Sequence, residues 1–435
     1  MLGDRQGRPE ASARGGGVMQ IVYLCADRGV PVLGDKGASV HTREFVSALA
    51  RLGHEVTVFC ARQGAGNPPP PGARLIEIAP DESADEIETQ AALLGLDGHK
   101  RDRVLNRELG KLAYDRKLPT RVLAALDRAA VHPDILYERY ALFHRAGGSV
   151  AKTLGIPHLL EVNAPLAEEQ ERFRDLRLKI QAQTTETEIL SGCDHIIAVS
   201  EAIRAHALTA GAEPERVTVV PNGVDIERFQ GETNAQGVRA RYGLAGRSVI
   251  GFVGSLKPWH GLDFLLDAFD DIRATRPDAA LLVVGDGPER ERLADRVAQA
   301  NLSRHVIFTG RVAHHEVPDY MAAMDITVAP YMPHEGFYFS PLKVVESMAA
   351  GRPVVAPRLG QLTELVADGT TGILYPPGDL RAFVSAVVGL LMYPQRRLAM
   401  AEAASVGARE LGGWMRAARQ VIAIAQALRI AESCR

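Results

Sequence analysis

Only four cysteines, Cys25, Cys60, Cys193 and Cys434, occur in 435 residues. They are far apart and form no C-x-x-C pair. Neither a disulfide framework nor a thiolate zinc site is therefore indicated, and a reducing cytoplasm is the expected location. An excess of one charge is also lacking: 50 Lys and Arg stand against 53 Asp and Glu, a net charge of −3. A nucleic-acid binder carries a basic surplus to meet the phosphates, so no nucleic-acid partner is expected. No apolar run approaches the roughly 18 residues that would argue for a spanning helix. Residues 1–18 lack the apolar centre of a signal peptide and read as a disordered leader.

What the chain does have is alternation. From Met19, short apolar runs such as MQIVYLC alternate with helical patterns, the signature of parallel β-α-β units. Strands are expected at 19–25, 54–60, 73–78, 134–140, 158–163, 195–200 and 217–223, with helices at 39–52 and around 167–191. After the polar stretch that follows PNGVDIERF, a second alternation begins. It gives strands at 248–254, 279–285, 306–310, 325–330 and 352–357, and helices at 261–273, 288–300, 316–323 and 341–350. A chain of this length outgrows a single core. The expectation is an α/β protein of two facing Rossmann-like domains, 19–228 and 248–410, joined by a linker at 229–247. A closing helix in 411–435 could cross back onto the first domain. Residues 81–129 are charged and periodic and read as inserted surface helices. A solvated face is the plain reading, with acceptor binding or peripheral contact with a membrane surface as the alternative.

The sharpest local signal is HEGFYFSPLKVVESMAAGRPVVAP at 334–357. Ser340 is a good N-cap and Pro341 suits a first helical turn, so a helix is expected from 341. Leu342, Val345 and Ala349 share its apolar face, and Gly351 with Pro353 ends it. The start of such a helix offers backbone N–H groups and a positive dipole end, with Lys343 beside them, which suits a phosphate. Glu346, a turn further in, is set to accept hydrogen bonds from ribose hydroxyls. The plainer alternative makes Glu346 a capped surface carboxylate and Lys343 a solvated lysine.

With these residues the chain resembles the family 4 retaining glycosyltransferases of GT-B fold, over nearly all of residues 19–430. The resemblance implies that Glu346 binds the nucleotide ribose and that the segment ahead of its helix meets the diphosphate and sugar. The family pattern has two glutamates eight positions apart. Here position 338 is Tyr, and Glu335 lies eleven residues before Glu346, so either the loop has grown by three residues or the first glutamate is absent. The spelling FSPLKVVESMAAG is similar to a recognisable branch of the family.

Other segments take their roles from the same resemblance. In VGSLKPWHG, Gly254 opens a donor loop where Ser255 and His260 stand in place of the usual arginine and lysine, and Lys257 between them is the expected phosphate lysine. GDKGASVHTREF, with Gly34 and Gly37, matches a glycine loop approaching the donor phosphate. His41, inside the following helix, is expected in a surface or core role. FTGRV places Arg311 beside the base. In the first domain, Glu138, Arg139, Glu161 and Asn163 end strands on the cleft side, either as candidates for acceptor or sugar contact or as satisfied buried polar groups supporting the strand ends, with Glu335 added from the second. The implied reaction moves a sugar, most commonly from a UDP-sugar, onto an unidentified glycan, lipid-linked or small-molecule acceptor. Lys343, Lys257 and Glu346 are its catalytic candidates, with neither metal nor cofactor. The same frame could serve a nucleotide-sugar epimerase, a sugar phosphorylase or a non-catalytic nucleotide-sugar binder.

Overall fold

The computed structural model describes residues 17–96, 98–333, 338 and 340–433; the leader expected at 1–18 falls almost wholly outside these. Among the described residues, thirteen strands form two all-parallel sheets. The first contains β1 (Gln20–Cys25), β2 (Glu55–Cys60), β3 (Ala73–Glu77), β4 (Ile135–Arg139), β5 (His158–Val162), β6 (His195–Ala198) and β7 (Val217–Val219), in spatial order β3-β2-β1-β4-β5-β6-β7. The second contains β8 (Ser248–Val253), β9 (Ala279–Val284), β10 (Val306–Gly310), β11 (Ile326–Val328), β12 (Val354–Pro357) and β13 (Gly372–Tyr375), in order β10-β9-β8-β11-β12-β13. Helices cover both faces of each sheet. The central strands are therefore buried end to end, which is why they read as unbroken runs such as IVYLC and AALLVV.

In both sheets the strand order reverses beside the first strand of the unit. Tyr23 of β1 lies between Val58 of β2 and Tyr137 of β4, and Ile250 of β8 lies between Leu281 of β9 and Ile326 of β11. Open parallel sheets bind ligands in the crevice beyond the strand ends at such reversals. Each domain therefore has one preferred place for a ligand.

Two expectations change. The stretch 229–247 is not a free linker: Phe229, Val238 and Leu244 are buried with side chains of the second domain. The chain crosses between domains earlier, from Val220 in the first core to Val224 in the second. Strand β13 went unforeseen because GILY is only four residues long, too short to declare a period. The last helix is Trp414–Ser433. Trp414, Ala418, Val421 and Ala425 join Phe45, Val46 and Leu49 in the first domain's core. The two crossing strands touch at glycines: a Cβ on Gly223 would overlap the Trp414 backbone, and one on Gly413 would overlap the Val224 carbonyl.

Candidate functional site

At the reversal of the second sheet, Lys343 is the central cation. It lies in the first turn of the Leu342–Ala349 helix, and its Nζ is buried without a hydrogen-bond acceptor among the described residues. The ammonium sits 4.4 Å from the centre of the Phe252 ring and 4.9 Å from that of Tyr331, the residues flanking the ends of β8 and β11. Burial depresses its pKa to about 7 against the opposing pull of Glu346. Gly254 follows β8 with φ 147, a backbone conformation that side chains other than glycine rarely adopt, and a Cβ there would lie 3.0 Å from Nζ.

The Gly254–Gly261 loop forms the adjoining wall. His260 Nδ1 lies 2.5 Å from the Ser255 carbonyl oxygen, which fixes the ring over Phe252 and Tyr331 at 6.0 and 5.6 Å. Burial and the charge of Lys343 hold the imidazole neutral. Lys257 Nζ stands 4.8 Å over Trp259, whose ring meets Phe173 of the first domain at 5.1 Å. Desolvation lowers its pKa, reinforced by the charge of Arg174. The cleft thus gathers two desolvated lysines that gain from a multivalent anion.

Glu346 is tied into a chain of polar contacts that spacing alone does not reveal. Its Oε1 is 3.3 Å from His314 Nε2, whose Nδ1 is 3.0 Å from Arg228, which pairs with Glu44 of the first domain at 2.8 Å. His314 and Arg228 lie 32 and 118 residues from Glu346, so only the fold brings them together.

Several expected positions are corrected. The helix begins at Leu342 with Pro341 as its N-cap, and no side chain caps it, so Ser340 is not the cap. Pro341 has φ −82 and ψ 84, outside the helical basin, which delays the start by one residue. Gly37 opens the Gly37–Arg51 helix in open space and has no positive φ, so nothing steric requires glycine there, unlike Gly34, which is crowded by Pro31. Arg311 is exposed after β10. Glu335 lies outside the described residues.

The acidic residues of β4 and β5 turn inward. Glu138 is fully buried, 2.8 Å from His158 Nε2. Glu161 receives Tyr137 Oη and Arg139 Nη1, each at 2.8 Å, and the Asn163 amide, while His41 Nε2 lies 2.9 Å away. Burial alone would raise the Glu161 pKa, but His41 and Arg139 hold it at about 2. Glu138, Arg139 and Glu161 are thus buried and satisfied at the strand ends they brace. His41 is a core residue, edge-on to Trp414 at 4.8 Å. Contact across the cleft comes instead from Glu169, which accepts the Tyr338 hydroxyl at 2.9 Å.

Comparison with known proteins agrees with this architecture. The model described as Glycosyltransferase Family 4 matches residues 36–228, and that of Glycosyl transferases group 1 matches residues 247–392. D-inositol 3-phosphate glycosyltransferase 2 of Catenulispora acidiphila is 30% identical over 395 residues, covering 84% of each chain. A GDP-mannose-dependent alpha-(1-6)-phosphatidylinositol monomannoside mannosyltransferase of Mycolicibacterium smegmatis is 34% identical over 223 residues, 50% of this chain and 58% of the relative. Among solved structures, Anabaena HepE in complex with UDP aligns with a TM-score of 0.68 at 21% identity, covering 94% of this chain and all of the other. The chain belongs to the family 4 glycosyltransferases, and its two facing parallel-sheet domains are the GT-B fold. No helix among the described residues is long and apolar enough to cross a membrane.

Proposed function

We propose that the chain transfers a sugar, with retention of anomeric configuration, from a nucleoside diphosphate sugar to an acceptor hydroxyl, using fixed cations in place of a metal. The observation that carries this reading is the buried Lys343 ammonium without an acceptor, beside a helix start that no side chain caps. Such a group is costly unless an anion answers it, and a diphosphate does so. The donor would lie across the second switch point. Lys343, Lys257 and the start of the Leu342–Ala349 helix would meet the phosphates, with Gly254, Ser255, His260, Pro341 and Leu342 forming the walls. Glu346 would accept the ribose hydroxyls, and Arg311 would border the base.

In the reaction, the bond from the anomeric carbon to the diphosphate oxygen breaks and its electron pair stays on the phosphate. The acceptor oxygen bonds to that carbon from the same face, and its proton passes to the departing phosphate oxygen. The lysines stabilise the charge that develops on the diphosphate, and closure of the domains excludes water. HepE was solved with UDP and the Mycolicibacterium relative is named for GDP-mannose, so UDP- and GDP-sugars are the donors to test, UDP first. Product stereochemistry read by NMR, with and without chelator, tests the reading. The expected result is the donor's anomeric configuration at an unchanged rate in chelator. An inverted product, or activity abolished by chelator and restored by magnesium, would contradict it.

A further inference from the structure

A cavity of about 50 Å³ opens beyond the carboxyl ends of β1 and β4, at the strand-order reversal of the first sheet. Its walls include Asp27 and Arg28 after β1, Lys111 from the Arg103–Ala129 helix, His144 after β4, and Glu169 and Arg174 from the segment around the Leu166–Phe173 helix. The carboxylates there are already answered. Asp27 accepts the Gly29 N–H at 2.7 Å, and Glu169 accepts the Tyr338 hydroxyl and pairs with Arg174 at 2.8 Å.

The donors are not answered. Arg28 gives one terminal nitrogen to Glu82 and to the Gly110 carbonyl, yet its Nε is buried with no acceptor. His144 Nδ1 is also buried without a hydrogen bond, 3.6 Å from Asp115. Lys111 makes neither an ion pair nor a hydrogen bond among the described residues. Its Nζ stands 5.8 Å over the Phe143 ring, where burial lowers its pKa. Buried polar groups are normally satisfied, so two buried nitrogens without acceptors, beside a half-buried lysine without an ion pair, in the walls of one cavity call for a ligand that brings oxygens.

We propose that this cavity seats a phosphate ester carried by the acceptor, with Lys111, Arg28 and His144 donating to its three terminal oxygens. The inference rests on the transferase reading and narrows its acceptor to a phosphorylated compound. The cavity holds one small group, not a whole glycoside, so the rest of the acceptor extends into the cleft. The cleft is close by: Tyr338, held by Glu169 of the cavity wall, lies five residues before Lys343.

Inorganic phosphate is the probe. The full chain is first saturated with nucleoside diphosphate, which occupies the donor site, and phosphate is then titrated by calorimetry into the parent, Lys111→Met and Lys111→Arg. The parent is expected to bind phosphate with nucleotide present. Lys111→Met should weaken it roughly tenfold or more, the weight of a lost charge-assisted hydrogen bond, with nucleotide affinity and melting temperature unchanged. Lys111→Arg should recover most of the affinity. Equal phosphate affinity in Lys111→Met, or no phosphate binding to the nucleotide-saturated parent, would overturn the proposal. Failure of the parent to bind any nucleoside diphosphate would instead overturn the transferase reading, and phosphate titrated into the nucleotide-free chain would still report on Lys111.

Discussion

Lys343 Nζ lies 4.4 Å from the centre of the Phe252 ring, buried and without a hydrogen-bond acceptor. Its pKa of about 7 leaves it mostly neutral at pH 8 in the free protein, because burial penalises the charged form. A bound diphosphate reverses that penalty and raises the pKa. Nucleotide binding at pH 8 is therefore expected to take up about one proton, and affinity should fall as pH rises from 7 to 9. Calorimetry in two buffers of different ionisation heat measures the proton count. A binding heat independent of buffer would exclude this coupling.

Glu346→Gln should weaken nucleoside diphosphate binding by about 1.5–3 kcal/mol, the range for a charge-assisted hydrogen bond, with the fold intact. His314→Ala should act more weakly, since His314 lies behind the carboxylate at 3.3 Å and orients it. A larger loss in His314→Ala than in Glu346→Gln would move the ribose contact away from Glu346.

The domain crossing has its own test. Alanine at Gly413 would drive a Cβ into the Val224 carbonyl, which backbone atoms cannot avoid by a rotamer change. Overpacking of this kind costs about 1–3 kcal/mol, so Gly413→Ala should lower the melting temperature. Gly53→Ser should be milder: it is strained by the Gly53 φ of 88, but its Cβ faces open space.

The Glu161 network predicts how stability responds to acid. Its pKa is about 2 in the folded chain and near the ordinary glutamate value of 4.5 when unfolded. A depressed carboxylate contributes stability that is fully present above pH 4.5 and lost as pH falls toward 2. That contribution is about 3 kcal/mol. Glu161→Gln should remove this acid-dependent part and leave the Arg139 charge buried without its carboxylate, a loss of about 3–5 kcal/mol. Parallel urea titrations at pH 7 and pH 3 measure both, and an acid response unchanged in Glu161→Gln would refute the assignment.

Much of the architecture was legible in the sequence because parallel strands buried on both faces appear as short apolar runs, and twelve of the thirteen strands announce themselves that way. The helix that carries Lys343 and Glu346 was legible because a helix start near Ser340-Pro341 has local signals. Sequence alone leaves Glu138 and Glu161 open between cleft contact and buried bracing, because a strand-end acid looks the same in either role. His314, Arg228 and Lys111 carry no local mark. Their neighbours lie tens of residues away, and only folding brings them within reach.

The most direct test of the central claim is calorimetric titration of UDP and GDP into the parent chain and Lys343→Met at pH 7. The account predicts that the parent binds one of them saturably and that the variant, still folded, binds it at least roughly tenfold more weakly, as loss of a buried charge-assisted contact requires. Equal affinity in parent and variant would contradict it.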